Sequence, residues 1–242
     1  MNNNMYSLSV KQWSPFVGCE HDCVYCRPSF QRNIKRASGR CPQLSDDGKT
    51  KCYAFEPHFH DVRLMQQLPR TRYLQFIFTC ANGDIAFATD EQFERIIEII
   101  KAHDDRTFLM QSKDPGRAFN RPGMTLPRNL LAGITLETNR DMFALMVSQA
   151  PPPSQRYQDF LAVEHKTKMV TIEPVLDFDL DVMLDWLSAL RPVMVWLGYD
   201  SKNCGLPEPS LEKVRELHWE LSLLGIPVIL KTTREANHCR KR

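Results

Sequence analysis

Six short apolar runs, spaced through the chain after residue 70, constrain this sequence more than any other feature. The first, residues 72–80 (RYLQFIFTC), is rich in aromatic and β-branched side chains and stops at the turn signal ANGD. After it, Thr89 and Gln92 stand at capping-box spacing, and Phe93, Ile96, Ile97 and Ile100 recur at helical period. Further runs follow at 106–114, 129–138, 168–176, 192–200 and 226–233. Between the later runs, Leu180, Met183, Leu184 and Leu187 share a helical face, and SLEKVRELHWELSLLG runs from a Ser210 cap to a Gly225 stop. Continuous apolar runs are strands covered on both faces, and strands alternating with helices imply right-handed parallel crossovers. With one more strand ahead of the first cysteine, the expected fold is α/β: a parallel β/α barrel, partial or complete, of six to seven strands. Alternation alone leaves a doubly wound open sheet as the competitor.

At 242 residues one domain over 1–242 accommodates this pattern. A polar, turn-rich stretch at about 39–55 reads as an inserted segment, APPPSQRY (150–157) as a stiff loop, and the C-terminus as a short basic tail. In either α/β architecture the C-terminal strand ends line the site. The polar residues leaving the runs are therefore candidates: Asn82, Gly83 and Asp84; Lys113 and Asp114; Thr135 and Glu137; Glu173; Tyr199 and Asp200; Lys231. Any one of them is as readily a turn former or helix cap, but their recurrence on one rim favours function.

Thirty-one basic against 29 acidic side chains leave a net charge of +2, too small a field to announce a nucleic-acid partner. Basic clusters at Arg32, Lys35, Arg36 and Arg40, and at Arg240, Lys241 and Arg242, read first as solvated surface. No run is long and apolar enough to span a membrane, and the start lacks the pattern of a signal peptide, so the expected location is cytoplasmic. In a reducing compartment eight cysteines point to metal rather than disulfides.

Three of those cysteines, Cys19, Cys23 and Cys26, fall within GCEHDCVYC at spacing C-x3-C-x2-C. Three readings compete for them. A structural zinc needs a fourth ligand, which Cys41 or Cys52 could supply. Inert core cysteines would not crowd beside Gly18, Glu20, His21 and Asp22. An iron-sulfur cubane on three thiols leaves its fourth iron open. An open iron can chelate the amino and carboxylate groups of S-adenosylmethionine, so that an electron from the cluster breaks the sulfonium bond and yields a 5'-deoxyadenosyl radical.

The spacing, with Tyr25 just before the last cysteine and a β/α alternation behind it, resembles the signature of the radical S-adenosylmethionine (radical SAM) superfamily. SPFVGCEHDCVYC is similar to the spore photoproduct lyase-related branch. FEPHFHDVRL, NGDIAFATDEQFERIIEII, RTFLMQSKDPGRA, NLLAGITLET, TIEPVLDFDL and GIPVILK resemble the phage Gp37/Gp68 (DUF5131) family over roughly residues 13–233. The resemblance implies a 4Fe-4S cluster on Cys19, Cys23 and Cys26 and an enzyme that cleaves S-adenosylmethionine (SAM) for hydrogen abstraction. It also implies a reductant such as a flavodoxin or ferredoxin, and a nucleic acid or nucleobase as the leading substrate class. Asn82, Gly83 and Asp84 correspond to the segment that meets the cofactor amino group, with Asp84 as acceptor. Thr135 and Glu137 lie where ribose hydroxyls are bound, and Glu173 ends the fifth strand. Lys113 or Arg117 would pair with the cofactor carboxylate and Lys231 with an anionic substrate group. Cys80, ending its strand, is weighed as a hydrogen-atom donor against the more ordinary buried apolar cysteine. The family pattern has a longer first gap and CYA after the last cysteine; here RPS follows, and CYAF stands at Cys52. That departure leaves open a second site, zinc on Cys41 and Cys52 with His58 or His60. The rival from another class is a zinc-stabilised nucleic-acid or protein binding module without catalysis, on Cys23, Cys26, Cys41 and Cys52.

Overall fold

The computed structural model describes residues 6–236, so the basic residues Arg240 to Arg242 and Cys239 lie outside the described residues. Along the chain, β1 (Ser9–Trp13) and β2 (Phe16–Val17) precede the cysteine loop. Two short helices, α1 (Arg32–Arg36) and α2 (Lys51–Ala54), then lead to β3 (His58–Phe59). The alternation that follows is β4 (Phe76–Thr79), α3 (Asp90–Ala102), β5 (Phe108–Ser112), α4 (Pro115–Phe119) and β6 (Leu130–Thr135). It continues with α5 (Asp141–Leu145), α6 (Pro153–Leu161), β7 (Lys168–Ile172), α7 (Leu180–Leu190), β8 (Met194–Leu197), α8 (Leu211–Leu223) and β9 (Val228–Leu230).

Seven strands form one sheet in the order β1-β4-β5-β6-β7-β8-β9. A doubly wound sheet reverses its strand order at a switch point. Here the order never reverses, so the fold class is α/β of the partial β/α-barrel type, and among the described residues β1 and β9 are its edges. All residues of β4, β7 and β8 are buried, as strands with both faces covered require.

The chain divides into two compact units. The first holds residues up to Glu20, Phe30–Ser112 and Arg117–Ala132. In it β1 pairs parallel with β4, and β4 with β5, while β2 and β3 make a small antiparallel pair. Its principal helix, α3, has the expected capping box: Thr89 Oγ1 accepts from the Gln92 amide, and Gln92 Oε1 accepts from the Thr89 amide, both at 3.2 Å. Phe93, Ile96, Ile97 and Ile100 are its buried face.

The second unit comprises His21–Ser29, Lys113–Gly116 and the chain from Gly133 onward. Parallel pairing joins β7 to β8 and β8 to β9. Met183, Leu187 and Leu190 bury one face of α7, and Ser210 caps α8 by accepting from the Lys213 amide. Of the expected loop at 150–157, residues 153–157 are instead the start of α6, which opens with Pro153 in its first turn. Proline is well suited there, because its missing N–H would have no helical partner and its φ is already near the helical value. Tyr157 of α6 stacks on Trp186 of α7 with ring centroids 4.6 Å apart.

Candidate functional site

In the first unit, the chain reaches Cys19 through a wall of backbone. The Gly18 amide donates to Asn82 O at 3.1 Å and its carbonyl accepts from the Asp84 amide at 3.1 Å. A Cβ on Gly83 would lie 2.6 Å from Gly18 O, so Gly83 is the residue that allows this approach. Gly18 itself has φ +94°, and a Cβ there would lie 2.0 Å from Glu56 O. Cys19 then donates its amide to Phe55 O at 3.2 Å. Asn82 bonds Ser14 Oγ, and the buried Asp84 accepts at Oδ1 from the Ala86 amide and from Ser112 Oγ. Asn82, Gly83 and Asp84 therefore form one body with the residues leading into the first motif cysteine.

The same unit gathers four further metal-type side chains. Cys41, Cys52, His58 and His60 are all buried, and one donor atom of each lies within 4.8 Å of the other three. A group of this kind can hold a metal ion. Burial, followed by the neighbouring Cys41, pushes the Cys52 thiol up to about 12; burial and then Arg63 bring His60 down to about 4.

In the second unit, Cys23 Sγ lies 3.1 Å from Ser148 Oγ and 3.3 Å from Lys113 Nζ. Lys113 also forms an ion pair with Glu137 and sits 4.5 Å over the Tyr25 ring. Tyr25 donates its hydroxyl to Glu137 Oε1, while Arg156 Nη1 reaches Glu137 Oε2 at 2.8 Å and Thr135 O at 2.6 Å. Glu137 and Arg156 side chains are both 0% exposed. Burial would raise the Glu137 pKa, but Arg156 and Lys113 outweigh it and hold the carboxyl down at about 2. The Tyr25 ring and Val24 pack on Val147, Leu176 and Leu206, so the second half of the cysteine motif is anchored in an apolar cluster of its own unit. Arg156 and Ser148 were not among the sequence-derived candidates. Proline marking a helix start at 153 would have placed Arg156 on the helix that also carries Tyr157 and Phe160; no local signal marks Ser148.

Several candidate residues occupy settled positions. Thr135 is buried and offers its carbonyl to Arg156, and the ribose role expected for Glu137 meets a carboxylate already engaged by three partners. Lys113, expected at the cofactor carboxylate, lies between Cys23 and Glu137; Arg117 lies 5.2 Å over the Phe87 ring. Glu173 takes Lys231 Nζ on both oxygens at 2.8 Å, and burial, opposed by Lys231, leaves its carboxyl above the usual range. Asp200 accepts from the Lys202 and Cys204 amides, the turn-forming alternative. Cys80 is 2% exposed at φ 54°, and burial pushes its thiol up to about 12. Of the rival reading's zinc set, Cys41 and Cys52 lie together with two histidines in the first unit; Cys23 is within hydrogen-bonding distance of Ser148 and Lys113 in the second.

No protein-family model matches the chain, and no curated protein matches it. Among solved structures it is similar to SuiB of Streptococcus suis. To SuiB bound to S-adenosylmethionine the likeness has a TM-score of 0.47 at 9% identity, covering 93% of this chain and 51% of that one. To SuiB bound to precursor peptide SuiA the TM-score is 0.49 at 9% identity, covering 93% and 49%. The chain thus spans about half the length of the SuiB chains it resembles.

Proposed function

We propose that this chain is a radical SAM enzyme, with Cys19, Cys23 and Cys26 holding a 4Fe-4S cluster. The observation that carries the reading is the C-x3-C-x2-C loop with Tyr25, in which Cys19, Cys23 and Cys26 form no disulfide. The donor set fits the group: three thiols would ligate three irons and leave one open, and Lys113 places its ammonium group 3.3 Å from the Cys23 sulfur. When bound and reduced, such a cluster supplies the electron that breaks the sulfonium bond of chelated S-adenosylmethionine.

The chain's own residues then have distinct tasks. Lys113 and Ser148 direct hydrogen-bonding groups at Cys23, orienting its sulfur. Glu137, charged because Arg156 and Lys113 flank it, fixes Tyr25 through its hydroxyl and so fixes the loop between Cys23 and Cys26. Gly18 and Gly83 let two backbones approach closely enough to seat Cys19. Asp84, held by Ala86 and Ser112, is the acceptor assigned to the cofactor amino group, with Asn82 and Gly83 alongside. Glu173 and Lys231 form a charged pair assigned to cofactor or substrate polar groups. In this reading the substrate loses a hydrogen atom, a nucleic acid or nucleobase is the first class to try, and a flavodoxin or ferredoxin supplies the electron.

Anaerobic reconstitution with iron and sulfide, reduction, and addition of S-adenosylmethionine provide the test. The expected result is a changed electron paramagnetic resonance spectrum and release of 5'-deoxyadenosine, both abolished in Cys23→Ala. A colourless protein, or a cluster whose spectrum ignores the cofactor, refutes the reading.

A further inference from the structure

We propose that Cys41, Cys52, His58 and His60 bind one zinc ion as a closed structural centre that braces the backbone behind Cys19. Three sulfur-to-nitrogen distances match the edges of one tetrahedral ion, and all four donor atoms lie within 4.8 Å of one another. Cys52 Sγ lies 3.3 Å from His58 Nε2 and 3.4 Å from His60 Nε2, and Cys41 Sγ lies 3.5 Å from His58 Nε2. With Zn–S near 2.3 Å and Zn–N near 2.05 Å, the sulfur-to-nitrogen edge of a tetrahedron is about 3.5 Å. His58 Nδ1 lies 2.7 Å from Glu56 O, so that nitrogen carries the proton and Nε2 turns its lone pair toward the thiols.

Other occupants fit less well. A two-iron cluster with two cysteines and two histidines puts the sulfurs on one iron and the imidazoles on the other. Here each histidine nitrogen is already within 3.5 Å of a cysteine sulfur, which a single ion explains. Harder cations prefer oxygen ligands, and a buried two-sulfur, two-nitrogen set selects zinc among abundant ions. Cys41 and Cys52 are both free thiols.

The surrounding segment has need of such a centre. Helices α1 and α2 are five and four residues long, too short to persist without tertiary support. Cys52 sits in α2, whose Thr50 cap accepts from the Tyr53 amide, and Cys41 follows the 3-10 turn Ser38–Arg40. His58 lies in β3, which pairs with β2 through Val17. One ion would tie these pieces to the strand pair, and the same stretch supplies Phe55 O to the Cys19 amide and Glu56 O against Gly18. The zinc centre is thus structural support for the first motif cysteine while sharing no ligand with it.

Metal analysis of the full chain tests this independently of the cluster reading. A Cys19→Ala/Cys23→Ala/Cys26→Ala variant is expected to retain about one zinc per chain through dialysis against a weak chelator. Cobalt titrated into metal-stripped protein of that variant should give the intense visible bands of tetrahedral Co(II) with thiolate charge transfer, displaced by one equivalent of zinc. His60→Ala and Cys52→Ser should each lose that spectrum, and His60→Cys should restore it with a red shift. A triple variant that remains folded by circular dichroism yet holds no zinc and gives no tetrahedral cobalt spectrum overturns the proposal. So does zinc that survives Cys52→Ser together with His60→Ala.

Discussion

Replacing Arg156 by methionine isolates the buried charge network behind Tyr25. The substitution keeps an unbranched apolar stem but removes the guanidinium that bonds Glu137 Oε2 and Thr135 O. Glu137 is 0% exposed and would keep only Lys113 and Tyr25. Breaking a buried pair by removing one partner costs about 3–5 kcal/mol, because the remaining charge stays desolvated. The lowered pKa of Glu137 gives a second route to the magnitude. A carboxyl lowered from 4.5 to about 2 corresponds to roughly 3 kcal/mol of stabilisation of its charged form. Because Lys113 remains, the expected loss at pH 7 is at the lower end, roughly 3 kcal/mol. The folded pKa is depressed, so this stabilisation is fully present above pH 4.5 and is lost as pH falls toward 2. The gap between wild type and Arg156→Met should therefore narrow over that window. Urea unfolding followed by circular dichroism, at equal metal load from pH 7 down to pH 3, reads it directly. Arg156→Met/Glu137→Gln should be less destabilised than the sum of the single variants by about 1 kcal/mol or more, the mark of direct coupling. A cost below about 1 kcal/mol at pH 7, or strict additivity of the two changes, would refute the network as described.

Gly83→Ala forces a Cβ to within 2.6 Å of Gly18 O, and backbone must shift to admit it. The expected outcome is a loss of about 1–3 kcal/mol in urea unfolding together with reduced iron loading after reconstitution. Gly18→Ala should be worse, since it adds left-handed strain at φ +94° to an approach of 2.0 Å on Glu56 O. Thr89→Ala removes one half of the α3 capping box and should cost about 1 kcal/mol without changing iron content. Lys231→Met leaves the half-buried Glu173 without its cation, so thermal stability should fall more at pH 8 than at pH 5, where the carboxyl takes up a proton more readily. Equal losses at both pH values would count against a charged Glu173.

What the sequence by itself determined follows from local pattern. Thr89 with Gln92, followed by Phe93, Ile96, Ile97 and Ile100, contains all that α3 needs, and the structure buries that face. The apolar runs fixed where strands form, since strands with both faces covered read as unbroken hydrophobic stretches. The cysteine spacing was legible too, because thiols so close in sequence must share one loop. Three prolines in a row hid a helix start, for the same ring that breaks a helix interior suits its first turn. Tertiary structure alone decided the rest. The unreversed strand order, which separates a partial barrel from a doubly wound sheet, is a property of pairing between strands distant in sequence. Ser148 meets Cys23 across 125 residues, and Arg156 meets Glu137 across 19; His58 and His60 converge on Cys41 and Cys52 through a strand pair and a four-residue helix. Local periodicity reports which face of an element is buried, whereas the partner that a buried polar group finds there depends on how the whole chain packs.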